Sequence, residues 1–139
     1  MEQRMTMIAL GVLNLDISSK FYENVFGWTR IKSENEVIIF FQLNGIILSI
    51  YPREKLAEDA MISSEGSGFK GVTCAFNART EADVDELFIE FKSKNVQIIK
   101  MPEKVFWGGY SGYIADPDGH LWEIAFNPFW KLDQSGNLL

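Results

Sequence analysis

The chain has 139 residues, a length that suits one domain or two small repeated halves with a real hydrophobic core. Apolar residues make up 47% of the sequence and charged residues 23%, a balance that excludes an intrinsically disordered protein. The net charge of -6 argues against nucleic acid and against an anionic membrane surface as partners.

The cysteine content indicates a reducing compartment. The single cysteine, Cys74, cannot form an internal disulfide bond, and without a histidine partner it is interpreted as a small core residue. The first residues lack a basic segment followed by an apolar run, and no window approaches the length of a membrane span. We therefore expect a soluble cytoplasmic protein.

The first half of the chain has the pattern of a strand, a helix and three more strands. Four strands are predicted, at residues 5–13, 28–32, 37–43 and 46–51. The helix after the first strand is expected to be capped by Asp16 or Ser18 and to end at Gly27. Asn44-Gly45, between the last two strands, is typical of a hairpin turn.

The second half repeats this order after a linker. A short helix is predicted at residues 53–59, within the linker. Thr80 and Asp83 form the capping-box pattern of a second long helix. The strands of this second half are expected at residues 71–77, 96–100, 109–115 and 121–127. The predicted organisation is module one at about 5–52, the linker at 53–69, module two at 70–128 and a tail at 129–139.

The last predicted strand carries a carboxylate, Glu123, in an apolar setting. The turn Asp116-Pro-Asp-Gly119 precedes it, and side chains on a strand alternate between its two faces. Bulky Trp122, Ile124 and Phe126 are therefore expected to pack on a helix, with Glu123 on the opposite face. A buried carboxylate is costly without a partner, so Glu123 is expected to be solvated, to be structurally paired, or to be part of a ligand site.

Two motifs resemble the vicinal oxygen chelate superfamily of glyoxalases, bleomycin-resistance proteins and extradiol dioxygenases. They are Phe21-Tyr22-x-x-x-Phe26-Gly27-Trp28 and Asp116-Pro-Asp-Gly-His-Leu-Trp-Glu123, set in a doubled β-α-β-β-β pattern over about residues 5–128. The resemblance implies an α+β fold in which two βαβββ modules form a curved mixed sheet around a U-shaped cavity. It also implies a homodimer.

In metal-dependent members of this superfamily, four inward positions supply His, Glu or Gln ligands. Those positions correspond here to Met7, Ser49, Gly71 and Glu123. Methionine, serine and glycine do not replace imidazole or carboxylate toward a divalent ion. We therefore expect no cofactor, and a bound divalent metal is disfavoured.

The lone histidine, His120, lies three residues before Glu123, so the two side chains are expected on opposite faces of the strand. A structural or surface role is favoured for His120. With one histidine in the chain, an iron site of two histidines and one carboxylate is excluded, so extradiol ring cleavage is not expected.

Other polar and aromatic residues are candidates for contact with a ligand. Hydroxyl groups beside Glu123 are expected from Ser49, Tyr51 and Thr73. The glycine-rich run before the last hairpin supplies the aromatic rings of Trp107, Tyr110 and Tyr113. These rings either line a pocket or pack at the barrel end or a subunit contact.

Two classes of function are consistent with these residues. The first is a metal-independent binding protein in which Trp107, Tyr110 and Tyr113 stack on a small organic molecule that Glu123 orients. The second is a lyase or isomerase of the glyoxalase type, similar to lactoylglutathione lyase, with Glu123 as general base or metal ligand. A structural module with an occluded cavity is a third, plainer alternative.

Overall fold

The computed structural model describes residues 3, 5–32, 37–70, 72–106 and 108–139. The fold is α+β, and the chain divides into two compact units, Met1–Lys70 and Gly71–Leu139. Each unit pairs a mixed sheet with a helix that follows its first strand. Within the described ranges, no helix has the length and apolar character that crossing a membrane requires.

The first unit contains a three-stranded sheet. Its elements are β1 at Met7–Val12, α1 at Leu15–Asn24, β2 at Ile39–Gln42, β3 at Ile47–Pro52 and α2 at Arg53–Asp59. The strand order is β1-β3-β2, with β1 parallel and β2 antiparallel to β3. The hairpin predicted at Asn44-Gly45 joins β2 to β3, and Gly45 takes a positive φ of 73°. The short helix α2 follows β3 directly, as predicted.

The core of the first unit lies between α1 and one face of this sheet. Tyr22 of α1 is fully buried, and its ring centroid is 5.7 Å from that of Phe41. Alternation along the strands places the other core residues on the same face, and these are Leu10, Val12, Leu48 and Ile50.

Two details of the first unit differ from the sequence prediction. Helix α1 is capped by Asn14, whose Oδ1 accepts a hydrogen bond of 3.0 Å from the Ile17 amide, so the predicted caps Asp16 and Ser18 were wrong. The strand predicted at 28–32 is reduced to one bridge between Arg30 and Phe41. Trp28 instead stacks on Tyr22 at 5.6 Å, which draws this segment toward α1.

The second unit contains a four-stranded sheet. Its elements are β4 at Cys74–Asn77, α3 at Glu81–Ser93, β5 at Gln97–Lys104, β6 at Tyr110–Ala115 and β7 at Leu121–Phe126. The strand order is β4-β7-β6-β5, with β4 parallel to β7 and the other pairs antiparallel. Apart from boundaries, these are the elements predicted for the second half of the chain.

Helix α3 begins with the predicted capping box. The Asp83 amide donates to Thr80 Oγ1 at 3.1 Å, and the Thr80 amide donates to the Asp83 carboxylate at 2.9 Å. The helix packs on β5, β6 and β7, and its buried side chains are Val84, Phe88 and Phe91. Trp122 and Ile124 are buried on the α3 side of β7, as predicted, whereas Phe126, the third residue of that prediction, is half-buried.

Gly112 on β6 allows the sheet and α3 to approach closely. A Cβ atom there would lie 2.6 Å from Phe88 Cζ, 2.7 Å from the Lys100 carbonyl oxygen and 2.9 Å from the Pro102 nitrogen. Two of these three neighbours are backbone atoms, so a side-chain rotation does not relieve the overlap.

Gly112→Ala is therefore expected to destabilise the protein by about 1–3 kcal/mol, the usual cost of overpacking a well-packed site. Chemical denaturation monitored by circular dichroism measures this change. Gly45→Asn is the matched control, because nothing lies within 4 Å of the added Cβ and asparagine tolerates the positive φ. Equal stability of Gly112→Ala and the unaltered protein would show that β5 moves away at little cost.

Candidate functional site

The turn between β6 and β7 is built around the buried side chain of Asp116. Its Oδ1 accepts hydrogen bonds from the Asp118 amide at 3.0 Å and the His120 amide at 2.8 Å. The Gly119 amide donates to the Asp116 carbonyl at 3.0 Å, and Gly119 has a φ of 81°. The turn predicted from Asp116-Pro-Asp-Gly119 is therefore confirmed, and it fixes how β6 and β7 pair.

This register places four side chains in one row across the second sheet. Glu123 on β7 pairs with Tyr113 on β6 and with Ala75 on β4. Tyr113 in turn pairs with Lys100 on β5. Because Trp122 lies on the α3 side, this row lies on the face turned away from α3.

Tyr113 and Glu123 form a side-by-side pair within the row. The pKa of Tyr113 is raised from its ordinary value of 10.0, first by burial, then by the negative charge of Glu123 and by the hydrogen bond to its carboxylate. The Lys100 ammonium acts in the opposite direction, and it also lies 2.8 Å from Glu103 Oε1. The pair thus joins a hydroxyl donor that keeps its proton at neutral pH to a carboxylate acceptor.

Tyr110 lies on the opposite face of the sheet from Tyr113. Its hydroxyl donates to Asp85 Oδ1 on α3 at 2.8 Å, and Lys104 Nζ lies 5.9 Å from its ring centroid. The pKa of Tyr110 is raised, chiefly by the hydrogen bond to Asp85. Since the two tyrosines are three residues apart on one strand, they do not line the same sheet face.

The other predicted ligand-binding residues have different surroundings. Ser49 is fully buried, and its Oγ donates to the Ile8 carbonyl at 3.5 Å. Tyr51 is half-buried on the same face of β3, and Thr73 is exposed just before β4. Trp107 lies outside the described residues. The binding roles of these residues stay predictions.

The donor groups at the family's metal-ligand positions do not fit a divalent ion. Met7 and Ser49 lie on one face of the first sheet and offer a thioether and a neutral hydroxyl. Their neighbours Ile8 and Leu48 face α1, so a register shift of one residue supplies no ligand either. Gly71 lies outside the described residues, and Ala75, directly beside Glu123, offers no ligating atom.

A second group of polar side chains surrounds the turn. One ligand atom from each of Asp116, Asp118 and His120 lies within 4.8 Å of the others. His120 Nδ1 is 2.8 Å from Asp116 Oδ2, so both oxygens of Asp116 are bonded within the turn. These bonds give Asp116 and His120 a structural role in holding the turn.

Lys100 was not found by sequence reasoning. The register of β5 shifts between Ile98 and Lys100 and again between Lys100 and Glu103. Simple alternation from the predicted strand at residues 96–100 therefore does not give the orientation of Lys100. The proline at position 102 is the one sequence signal of this irregularity.

Comparison with known proteins identifies the family. The family model described as Glyoxalase/Bleomycin resistance protein/Dioxygenase superfamily matches residues 4–124. A crystal structure of a glyoxalase-related enzyme from Fulvimarina pelagi is 36% identical, with 99% of this chain and 97% of that chain covered and a TM-score of 0.88.

Two further solved structures are more distant. Lactoylglutathione lyase from Agrobacterium tumefaciens is 23% identical, covers 94% of this chain and 98% of its own, has a TM-score of 0.73 and shows the fold alone. A fosfomycin resistance protein from Listeria monocytogenes is 25% identical, covers 93% of this chain and 97% of its own, and has a TM-score of 0.71.

Glu123→Gln is expected to lower the pKa of Tyr113 toward its ordinary value, because the substitution removes the negative charge that opposes tyrosinate formation. A tyrosine with a raised folded-state pKa adds stability that is present below its unfolded pKa of about 10 and is lost as the pH rises through the folded value. Ultraviolet titration of tyrosinate, with Tyr113→Phe used to assign the signal, measures the shift.

Tyr110 is the internal control, since Asp85→Asn should lower its pKa and Glu123→Gln should leave it unchanged. An unchanged Tyr113 titration in Glu123→Gln would rule out the Tyr113–Glu123 pair.

Cys74 is expected to react slowly with alkylating reagents near neutral pH. It pairs with Trp122 on the α3 side of the sheet, and its pKa is raised from 9.0, first by burial and then by the charge of Asp116. The thiolate is the reactive form, so the alkylation rate of Cys74 should rise only at a pH above the pKa of a free thiol. The same thiol in denaturant is the control, and equal native and denatured rates would contradict this expectation.

Proposed function

This chain belongs to the glyoxalase/bleomycin resistance protein/dioxygenase superfamily, and from that premise we propose that it binds a small organic molecule without a tightly bound metal ion. The ligand would lie on the sheet face that carries Glu123 and Tyr113. The observation that carries this proposal is the row Lys100-Tyr113-Glu123, which brings a cation, a hydroxyl donor and a carboxylate together on the face away from α3.

The donor chemistry supports binding without a metal. Of the four positions where metal-dependent relatives carry ligands, Glu123 alone bears a group suited to a divalent ion. Tyr113 and Lys100 also give Glu123 partners from the protein itself. A half-buried carboxylate beside a tyrosine hydroxyl and close to an ammonium group does not require a metal to be stable where it lies.

The same row suggests the chemistry of the ligand. Glu123 would accept a hydrogen bond from a ligand hydroxyl or amide group, and Lys100 would bind a carbonyl or carboxylate oxygen. A compound with a donor next to an acceptor oxygen, such as a hydroxy or keto acid, satisfies both groups. Resemblance to the family adds Ser49, Tyr51, Thr73 and Trp107 as further candidate contacts of a ligand.

A lyase or isomerase of the glyoxalase type is the second candidate function. The presence of a tyrosine that holds its proton beside a carboxylate favours this function, because acid–base catalysis needs a proton donor and a proton acceptor close together. Glu123 would remove a proton from the carbon beside a carbonyl group. The 36% identical protein from Fulvimarina pelagi is described as a glyoxalase-related enzyme, which adds support.

We also propose that the protein works as a homodimer in the cytoplasm. The dimer follows from the pairing that is common in the family, and the compartment from the single cysteine. Light scattering coupled to size-exclusion chromatography tests the dimer, and a monomer mass at every protein concentration would reject it.

The central test is a thermal-shift screen with small aromatic and α-keto acids, followed by calorimetry on Glu123→Gln and Tyr113→Phe. Loss of one charged contact should weaken binding of a hit by about tenfold in Glu123→Gln, with a smaller loss in Tyr113→Phe. Glu90→Gln, at an exposed position on α3, is the matched control and should bind as the unaltered protein does.

Metal analysis of protein purified without chelator tests the other half of the proposal. Stoichiometric nickel, zinc, manganese or iron that is lost in Glu123→Gln would contradict ligand binding without a metal ion. For the enzyme alternative, Glu123→Gln should abolish turnover of the hit, and equal turnover by this variant would remove Glu123 as the base.

A further inference from the structure

A cavity lies at the carboxyl ends of β4 and β7, away from the Glu123 row. The two strands are parallel and end together, and the Ala78 amide donates to the Ala125 carbonyl at 2.7 Å just past β4. The space outside the carboxyl ends of parallel strands is a common place for ligands in open sheets. The cavity measures about 370 Å³ and is lined by Asn77, Ala78, Arg79, Phe126, Asn127, Trp130, Lys131, Leu132 and Leu139.

The C-terminal segment 131–139 forms the outer wall of this cavity. Its two ends pair through a bridge between Leu132 and Leu138, and Asp133 closes the loop between them. Asp133 Oδ1 and Oδ2 accept hydrogen bonds from the Asn137 amide at 2.8 Å and from Asn137 Nδ2 at 2.9 Å. These bonds lower the pKa of Asp133. The wall is therefore a folded loop.

Arg79 ties this loop to the sheet. Its Nη2 donates to the Asp133 carbonyl at 2.6 Å and to the Gln134 carbonyl at 3.1 Å. These acceptors are neutral, so the positive charge of the guanidinium is not neutralised by them. The contact holds both the loop and the charge of Arg79 beside the cavity.

The side chains around the cavity favour an anion. Arg79 and Lys131 are cationic, and none of the nine lining residues, all of them described, has an acidic side chain. In the adjoining first turn of α3, Glu81 pairs with Lys104, and Asp83 is bonded in the capping box. The nearby Asp133 carboxylate is bonded to Asn137 within the loop, so Arg79 and Lys131 are the charged side chains that line the cavity itself.

The remaining lining groups favour a ligand with an aromatic ring. Trp130 is 51% exposed and Phe126 is partly buried, so two aromatic side chains border the cavity. Aromatic surfaces that stay open to solvent bind flat apolar groups well. Asn77 and Asn127 add polar groups, and a cavity of about 370 Å³ is within the range that holds small ligands.

We propose that this cavity is a second binding site, which takes a small aromatic carboxylate. The ring lies against Trp130 and Phe126, and the carboxylate accepts hydrogen bonds from Lys131 and Arg79. The site is distinct from the Glu123 face, so this proposal can be tested independently of the function proposed above.

The test uses naphthoate and its neutral amide, naphthamide, in calorimetric titrations of the full chain. Naphthoate should bind one site per chain, and naphthamide should bind about tenfold more weakly because it lacks the charge. Lys131→Gln should reduce naphthoate affinity by a similar factor, and Trp130→Leu should weaken both compounds. Lys92→Gln, which removes an exposed lysine of α3, is the matched control and should change neither.

The proposal is overturned by the absence of saturable naphthoate binding, by equal affinity for the amide, or by an affinity that Lys131→Gln and Trp130→Leu leave unchanged. Glu123→Gln separates the two sites, since it should leave naphthoate binding intact. Loss of naphthoate binding in Glu123→Gln with full binding in Lys131→Gln would move the ligand to the Glu123 face and reject this cavity. Amide NMR shifts confined to residues 77–79 and 126–132 would place the ligand here.

Discussion

The buried carboxylate of Asp116 holds the turn on which the second sheet depends. Side chains alternate along a strand, so a slip of one residue at this turn would exchange the two faces of β7. Trp122 and Ile124 would then leave the α3 side, and Glu123 would enter the core. The hydrogen bonds to the amides of Asp118 and His120 oppose such a slip, because breaking them leaves a buried carboxylate unsatisfied. The core and the candidate site thus share one local constraint.

Local sequence signals predicted most of the fold. Thr80 and Asp83 begin α3, Asn44-Gly45 forms a hairpin and Asp116 to Gly119 forms a turn, because each depends on residues within four positions of one another. The prediction failed where a tertiary contact competed with local propensity. At residues 28–32 the stacking of Trp28 on Tyr22 favours packing toward α1 over a regular strand beside β2.

The candidate site was predicted only in part. Glu123 and its face follow from the turn and from alternation, and the same rule separates Tyr110 from Tyr113, which the sequence offers together as candidates for contact with a ligand. The orientation of the Lys100 side chain could not be predicted from the sequence, because it depends on two register shifts in β5. Its place beside Tyr113 is a property of strand pairing, which a single sequence does not reveal.

Glu123 lies where the resemblance places a metal ligand of the family, and its neighbours in the sheet are side chains of the protein itself. In a metal site the cation would offset the cost of removing this charge from water. Here Tyr113 is the direct neighbour of Glu123 across the paired strands, and Lys100 lies next in the row. A hydroxyl and an ammonium group can occupy only some of the roughly four lone-pair sites of a carboxylate, so acceptor positions remain on its two oxygens. A carboxylate with open acceptor positions can accept a hydrogen bond from a ligand donor, and that role does not require a metal ion.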